Sequence, residues 1–355
     1  MKILVLPGDC IGPEITAATL DVLQAVDRRF NLGLEIEHGL VGFASLEKNG
    51  STLTDETLAA IGAADGTILG PVHSMAYPAP DKGGRNPSGG IRKAFDLYAN
   101  IRPSKTRPGV PSTIKQMDMA FARENTEGFY ADRTMFMGSG EFMPTPDLAL
   151  AVRKITRQGS ERIARAAFEL AMRRRRKVTA VHKVNVLKQS EGLFLECCRA
   201  VAAEYPQVEY DEVLVDAMAA LLVRVPERFD VVVTTNMFGD ILSDLCAELV
   251  GGLGVGGSIN AGAEHCIAQA AHGAAPDIAG QNVANPTSLI LSMGMLLDWL
   301  GARHNRPELA EAAVRVSDAI DAQLADPVAR TRDLGGSLST EAFGKAVAAR
   351  VAGGA

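Results

Sequence analysis

Asp240 and Asp244, in the run Thr-Thr-Asn-Met-Phe-Gly-Asp-Ile-Leu-Ser-Asp-Leu (234–245), carry the densest chemical signal in this 355-residue chain. The stretch before them, Phe229 to Thr234, reads as a buried β-strand, and Ile241 to Leu249 carries apolar residues at helical spacing. Two carboxylates four apart at a strand-to-helix junction lie on one helical face, aimed at the carboxyl end of a strand. In open α/β sheets that edge is where ligands bind. Like charges at i,i+4 destabilise a helix by a few tenths of a kcal/mol, so a bound cation would account for the pair. Taken alone, such a pair is more often a solvated acidic face; the other motifs decide between the two.

Three arginines fall in or beside apolar segments: Arg92 and Arg102 in Gly-Gly-Ile-Arg-Lys-Ala-Phe-Asp-Leu-Tyr-Ala-Asn-Ile-Arg-Pro-Ser-Lys (89–105), and Arg123 in Ala-Arg-Glu-Asn-Thr-Glu-Gly (122–128). Guanidinium groups recognise carboxylates directionally and in bidentate fashion. One alone reads as a surface residue, whereas three converging make a di- or tricarboxylate cradle. Tyr130 follows Arg123 closely, Lys183 ends a strand in Val-His-Lys-Val-Asn-Val-Leu-Lys, and Asp216 in Val-Asp-Ala-Met-Ala adds a third acid. Lysine and tyrosine in a carboxylate-rich cleft are natural proton carriers.

The elements that must position these groups alternate. Lys2–Leu6, Thr67–Gly70, Met119–Ala122, Val178–His182 and Val231–Thr235 are strand candidates, and Pro13-Glu14 opens a helix to about Arg29. This rhythm predicts a largely parallel sheet with helices on both faces. Tyr77–Gly90, rich in Pro and Gly, reads as an exposed loop, and Ala131–Pro146 as an irregular apolar protrusion suited to an interface. A net charge of −6 gives no global reason to bind nucleic acid. The basic run Arg173–Lys177 reads instead as the cationic end of a helix from Ser160 to Arg176. Five cysteines without CxxC or zinc spacing fit a reducing, cytoplasmic setting. Neither a signal peptide nor a membrane span is expected, because no apolar run approaches ~20 residues.

In this order, from Leu-Pro-Gly-Asp-Cys-Ile-Gly-Pro-Glu (6–14) to Thr-Arg-Asp-Leu-Gly-Gly (331–336), the motifs resemble the β-decarboxylating dehydrogenases acting on isocitrate, homoisocitrate, isopropylmalate and tartrate or malate. The resemblance implies the two-domain α/β fold of isopropylmalate and isocitrate dehydrogenases, not the Rossmann fold. One domain, binding cofactor, would comprise 1–95 plus 250–355. The other, for dimerisation, substrate and metal, would comprise 96–249 with a protruding segment at 131–152. It further implies that Arg92, Arg102 and Arg123 clamp the substrate's malate moiety, and that Asp240 and Asp244 bind the metal together with Asp216 of the partner subunit. Lys183 of the partner subunit would relay the hydroxyl proton, and Tyr130 would protonate the enolate after loss of carbon dioxide. An all-oxygen site suits Mg²⁺ or Mn²⁺. A homodimer with shared active sites follows from the same carry-over.

The cofactor stretch implied by the resemblance is His272-Gly273-Ala274-Ala275-Pro276-Asp277-Ile278-Ala279-Gly280 with Asn285-Pro286, and it is not the GxGxxG fingerprint. Asp277 points to NAD, since a carboxylate accepts bonds from ribose hydroxyls and repels a 2′-phosphate; NADP-using relatives carry lysine and tyrosine where Asp277 and Ile278 stand. The alternative is Asp277 as a helix N-cap. Two positions depart from the family pattern. Cys10 replaces a glycine in a loop near the nicotinamide, and Gln269 replaces a carboxylate.

The substrate's third arm should meet Arg85–Ile91. Where isopropylmalate enzymes place leucines, this chain has Ser88 and Gly89, near Arg85 and Asn86. An alkyl arm there would leave polar groups unpaired, at about 1–3 kcal/mol each. The expected order of substrates is isocitrate or homoisocitrate, then tartrate or D-malate, then 3-isopropylmalate. A non-catalytic regulatory subunit is the competing class, and it predicts loss of the metal and proton-transfer residues that this chain retains.

Overall fold

The computed structural model describes residues 1–130 and 135–353. Twelve strands occur among them: β1 (Lys2–Leu6), β2 (Glu35–His38), β3 (Gly66–Leu69), β4 (Ala99–Lys105), β5 (Asp118–Glu124), β6 (Glu141–Thr145), β7 (Leu148–Ala151), β8 (Lys177–His182), β9 (Glu209–Leu214), β10 (Val231–Thr234), β11 (Ile259–Ala261) and β12 (Cys266–Gln269). Ten build one sheet in the order β2-β1-β3-β12-β11-β4-β5-β10-β8-β9; β6 and β7 form a separate hairpin.

The sheet is parallel on both flanks, as expected, but its centre is not. Strand β11 runs antiparallel to β12 and β4, and β4 antiparallel to β5. A tight reversal joins β11 to β12, with Gly262 N–H donating to the His265 carbonyl at 2.8 Å, so no crossover helix is needed there.

Strand alternation sends successive side chains to opposite cores. In β1, Ile3 and Val5 join a cluster with Val22, Leu289, Val316 and Phe343 from helices, while Leu4 and Leu6 join Ile61 and Ile91 on the other face. In β10, Val231 and Val233 pack on Phe168 and Phe194, and Val232 packs on Met218 and Leu242. All four β10 residues are buried, which is why this strand reads as an unbroken apolar run.

Three expectations are corrected. The helix before the basic run spans Arg157–Met172 and stops short of Arg176, whose φ of 59° is left-handed. Arg174 instead bonds Asp118 and Asp230, and Arg173 pairs with Asp298, so the run is tied to the fold's own acids. Within Tyr77–Gly90, Asn86 caps a helix over Pro87–Ala94 that begins inside the supposed loop. The apolar protrusion is not irregular throughout: its described part includes the β6–β7 hairpin, with Phe142, Met143, Leu148 and Leu150 exposed. Residues 131–134 of that segment lie outside the described residues. Among the described residues, no helix is long and apolar enough to cross a membrane.

Candidate active site

The registers of the sheet bring the candidate residues to one edge. Parallel pairing of β10 with β5 sets Thr234 beside Arg123, and antiparallel pairing of β4 with β5 sets Arg102 beside Phe121. Arg102, Phe121 and Arg123 therefore share a face. Against it packs the helix Asn236–Leu249, whose Leu242 and Cys246 bury Phe121; burying a phenylalanine side chain contributes on the order of 2 kcal/mol. The approach is close, since a Cβ on Gly239 would stand 2.6 Å from Arg123 Cγ. One residue later the helix presents Asp240, and one turn later Asp244.

Arg123 is held from two sides. Its Nε and Nη2 donate to Asn236 Oδ1 at 3.0 and 2.7 Å, and its Nη1 donates to Asp240. Arg102 Nη1 donates to Asp244 Oδ1 at 2.7 Å and Ser243 Oγ at 2.9 Å, and lies 3.4 Å from Asp240 Oδ1. Tyr130 completes the group, its hydroxyl donating to Asp240 Oδ2 at 3.3 Å. Five of the predicted residues thus come together: Arg102, Arg123, Tyr130, Asp240 and Asp244. Burial raises the Asp244 carboxyl pKa above the ordinary range; Arg102 opposes the shift and the like charge of Asp240 adds to it.

The donor set fits a hard divalent cation. Both carboxylates are partly exposed, they offer oxygen only, and Asp244 Oδ2 takes no hydrogen bond among the described residues. Within this one chain no three His, Cys, Asp or Glu side chains gather to hold a metal, again among the described residues.

Lys183 and Asp216 form a second, separate pair. Parallel pairing of β8 with β9 aligns His182 with Leu214, so Lys183 and the first turn of the helix Val215–Arg224 emerge at the same edge. Lys183 Nζ donates to Asp216 Oδ1 at 2.7 Å, and this bond lowers the Asp216 carboxyl pKa. Glu191, fully buried, accepts the Lys183 backbone N–H at 2.8 Å through Oε2 and pairs with Arg153 through Oε1. Arg153 in turn donates to Thr235 Oγ1 at 2.9 Å, at the start of the Asp240 helix. Glu191→Ala would leave the buried Arg153 charge without its partner, so a loss of about 3–5 kcal/mol is expected. Denaturant unfolding measures it, and a loss below about 1 kcal/mol would show that water readily replaces the carboxylate.

Of the polar groups expected around the third arm, two are already committed. Arg85 Nη1 binds the Leu53 carbonyl at 3.0 Å and Asp55 at 3.2 Å, and Asn86 Oδ1 accepts from Gly89 N–H at 3.1 Å. Ser88 lies in the first turn of that helix and Arg92 one turn later. Gln269, at the end of β12, donates through Nε2 to Ser88 Oγ at 2.8 Å.

The cofactor stretch packs against the Cys10 loop. Ile11 N–H donates to the Ala274 carbonyl at 3.2 Å, and Gly280 N–H donates to Glu14 Oε1 at 3.0 Å. Cys10 has a φ of 55°, the left-handed region that favours the glycine it replaces; burial, with Asp9 beside it, raises its thiol pKa. His272 Nε2 is buried without a partner and a Cβ on Gly273 would meet nothing within 4 Å, so this stretch has both a waiting polar atom and open space for a dinucleotide. Asp277 is exposed in a short turn and caps no helix, which removes the N-cap alternative. Asn285 is buried, its Nδ2 donating to Asp333 at 3.0 Å and its Oδ1 accepting from Thr287 N–H at 3.0 Å.

A cavity of about 560 Å³ lies elsewhere, lined by Ala99, Ile101, Pro103 and Lys105 of β4, and holds none of these residues. Those odd-numbered positions face away from Arg102, as alternation requires. Sequence reasoning passed over Asn236, Ser243 and Glu191; the first two stand inside the quoted run 234–245, beside residues that were singled out.

Fold and site together define a class: an α/β protein with guanidinium and carboxylate groups gathered beside the carboxyl ends of β5 and β10. More narrowly, the chain belongs to the isocitrate/isopropylmalate dehydrogenase family, dehydrogenases that decarboxylate, whose family model matches residues 2–347. It is 42% identical to a 3-isopropylmalate dehydrogenase of Methanothermobacter thermautotrophicus over 96% of this chain and 95% of the relative. It is also 42% identical to an isocitrate/homoisocitrate dehydrogenase of Thermus thermophilus, over 98% and 97% of the two chains. An Arabidopsis thaliana protein, "Isocitrate dehydrogenase [NAD] catalytic subunit 6, mitochondrial", is 40% identical over 98% of this chain and 87% of its own. The crystal structure of isocitrate dehydrogenase from Methylococcus capsulatus superimposes with a TM-score of 0.88, at 39% identity over 99% of both chains.

Proposed function

We propose that this protein catalyses the NAD-dependent, divalent-metal-dependent oxidative decarboxylation of a 2-hydroxy acid bearing a carboxylate at carbon 3, with isocitrate or homoisocitrate as substrate. The observation that carries this reading is the cluster of Arg102, Arg123, Tyr130, Asp240 and Asp244 on one face. Its two guanidiniums and two carboxylates cancel, so a divalent cation and a multiply charged acid can enter together without stranding a charge.

Asp240 and Asp244 would hold Mg²⁺ or Mn²⁺, completed by Asp216 of the partner subunit, and His272, Gly273, Asp277 and Asn285 would hold NAD. NAD bound there would supply the hydride acceptor for carbon 2, and the cation would supply Lewis acidity toward the hydroxyl and ketone oxygens. Arg92, Arg102 and Arg123 orient the malate carboxylates. Lys183 of the partner subunit takes the hydroxyl proton, and Tyr130 returns a proton to carbon 3 after carbon dioxide leaves. Residues 1–95 with 250–355 form the cofactor half and 96–249 the dimerisation half in this reading. Support for the dimer comes from the Lys183–Asp216 pair, whose lysine is part-buried and whose aspartate is exposed, and from the exposed apolar Ile241, Val223 and side chains of the β6–β7 hairpin.

Relatives of equal identity bear the isopropylmalate and the isocitrate/homoisocitrate names, so overall likeness does not choose the substrate. Ser88 favours an arm with a polar end; tartrate or D-malate, which lack a longer arm, stand second, and 3-isopropylmalate last. A regulatory subunit without activity is disfavoured by the retained Tyr130, Lys183, Asp216, Asp240 and Asp244. The deciding assay follows NADH formation with Mn²⁺ across isocitrate, homoisocitrate, D-malate, tartrate and 3-isopropylmalate, with NADP as the control. Turnover of a polar-armed acid with release of carbon dioxide is expected. Silence on every acid from a folded dimer would refute the reading.

A further inference from the structure

The Arg153 side chain, with 8% of its surface exposed, lies where several segments of the site meet. Its Nη1 donates to Ser190 Oγ at 2.9 Å, and its Nη2 donates to Glu191 and, at 2.9 Å, to Thr235 Oγ1. The guanidinium also lies 5.8 Å from the ring centre of Phe129 and 5.4 Å from that of Phe238, within reach of a cation–π attraction. Phe129 precedes Tyr130, Phe238 stands two residues before Asp240, and Glu191 accepts the Lys183 backbone N–H at 2.8 Å. Paired backbone bonds between Gly128 and Lys154, at 2.8 and 3.0 Å, hold Arg153 beside the Tyr130 segment. Helix stability does not account for this placement. Arg153 sits at the N-termini of the helices Ser190–Glu204 and Asn236–Leu249, where a cation opposes the helix dipole and Glu191 offsets it. Thr235 is the N-cap of the second helix, yet its hydroxyl caps no helix N–H and accepts from Arg153 instead.

We propose that Arg153 is a positioning residue that fixes two groups of each subunit to one another: Tyr130, Asp240 and Asp244 on one side, Lys183 and Asp216 on the other. This rests on the shared-site reading given under Proposed function, in which the first group serves one active site of the dimer and the second group serves the other. One guanidinium then governs both sites. Through Thr235 and Phe238 it sets where the helix of Asp240 and Asp244 begins. Through Ser190 and Glu191 it sets where Lys183 leaves its strand. A lysine at position 153 would keep a positive charge beside Glu191, but its single nitrogen lacks the rigid fork that spans Ser190, Glu191 and Thr235 at once. Both groups would then lose their fixed placement, and misplacement by about 1 Å can cost on the order of 10²-fold in rate.

The test uses a mixed dimer of one Lys183→Met subunit and one Asp240→Asn subunit, assayed with NAD on the acid that wild type turns over. Its one intact site takes Tyr130, Asp240 and Asp244 from the first subunit and Lys183 and Asp216 from the second. Arg153→Lys is then added to either subunit. In the first it should raise the midpoint of Mn²⁺ activation about 10-fold; in the second it should lower kcat about 10-fold and leave that midpoint in place. Thr235→Val, which removes an acceptor but no cap, should act from the first subunit alone, and Ser190→Ala from the second alone. These two milder variants read the same division if Arg153→Lys does not fold. Independently of turnover, amide hydrogen exchange in the Arg153→Lys homodimer should quicken both at Lys183 and across the start of the Asp240 helix. Equal loss of kcat from either subunit with an unmoved midpoint marks a merely structural role and overturns the inference. An effect confined to one subunit, or unchanged exchange at either segment, overturns it too. A parent mixed dimer that is inactive while wild type is active removes the shared-site reading, and the inference with it.

Discussion

Asp240→Asn is expected to lower turnover at saturating substrate by about 10³-fold or more, equivalent to roughly 4 kcal/mol of transition-state stabilisation. It should also move the midpoint of Mn²⁺ activation to higher concentration. The magnitude follows from the site's chemistry. Among the described residues Asp240 is the one carboxylate that meets Arg123, Arg102 and Tyr130 together, so it is both a proposed metal ligand and the acceptor for a proposed proton donor. An amide is a poor ligand for a hard dication, and it leaves the two guanidiniums facing one carboxylate instead of two. The fold should survive. Asp240 is partly exposed, the amide oxygen still accepts from Arg123 Nη1, and Asn236 continues to hold the other two guanidinium nitrogens. Mn²⁺ titration by kinetics and by calorimetry, with circular dichroism as the folding control, checks the result. Unchanged turnover and metal affinity would defeat the assignment of Asp240 as a ligand.

The legible parts of this protein were those written locally. The junction at Thr234–Asn236 showed itself because an unbroken run of valines ends where helical periodicity begins, and the same junction carries both aspartates. The antiparallel centre of the sheet was not legible. A three-residue strand such as β11 carries no periodicity to read, and alternation within β4 is blind to the direction of its neighbours. The helix at Pro87 had a readable signal, Asn86 as cap and proline in the first turn, that the surrounding glycines and prolines obscured. At Arg173–Lys177 the sequence shows the charges but not that the helix has already ended at Met172, nor the turn, left-handed at Arg176, in which Arg174 and Arg175 bond Asp230. Long-range hydrogen bonds are the extreme case: Ser88 and Gln269, bonded to each other, stand 181 positions apart, and Asn125 and Asn260, bonded likewise, stand 135 apart. Only the pairing of the strands beside them makes those residues neighbours.

That same sheet edge yields the largest effect expected of two variants together. Lys183→Met alone should lower turnover about 10²- to 10⁴-fold by removing the proposed base, and Asp240→Asn is comparably damaged. If the site is built across a dimer, mixing the two should restore activity. In a mixed dimer one site collects both lesions and the other collects neither, so random pairing of equal amounts should return about a quarter of wild-type activity. A site built within one chain predicts no recovery, because every site would still carry one lesion. The hydrogen bond between Lys183 and Asp216 at 2.7 Å supplies the control. On the proposed division these two residues would reach the partner as one unit, so Lys183→Met mixed with Asp216→Asn should stay inactive, whereas Asp216→Asn mixed with Asp240→Asn should recover like the first pair. Co-expression with two affinity tags isolates the mixed dimers. Recovery in all three mixtures, or in none, would show that the active site is not divided along the line between Lys183–Asp216 and Tyr130–Asp240–Asp244.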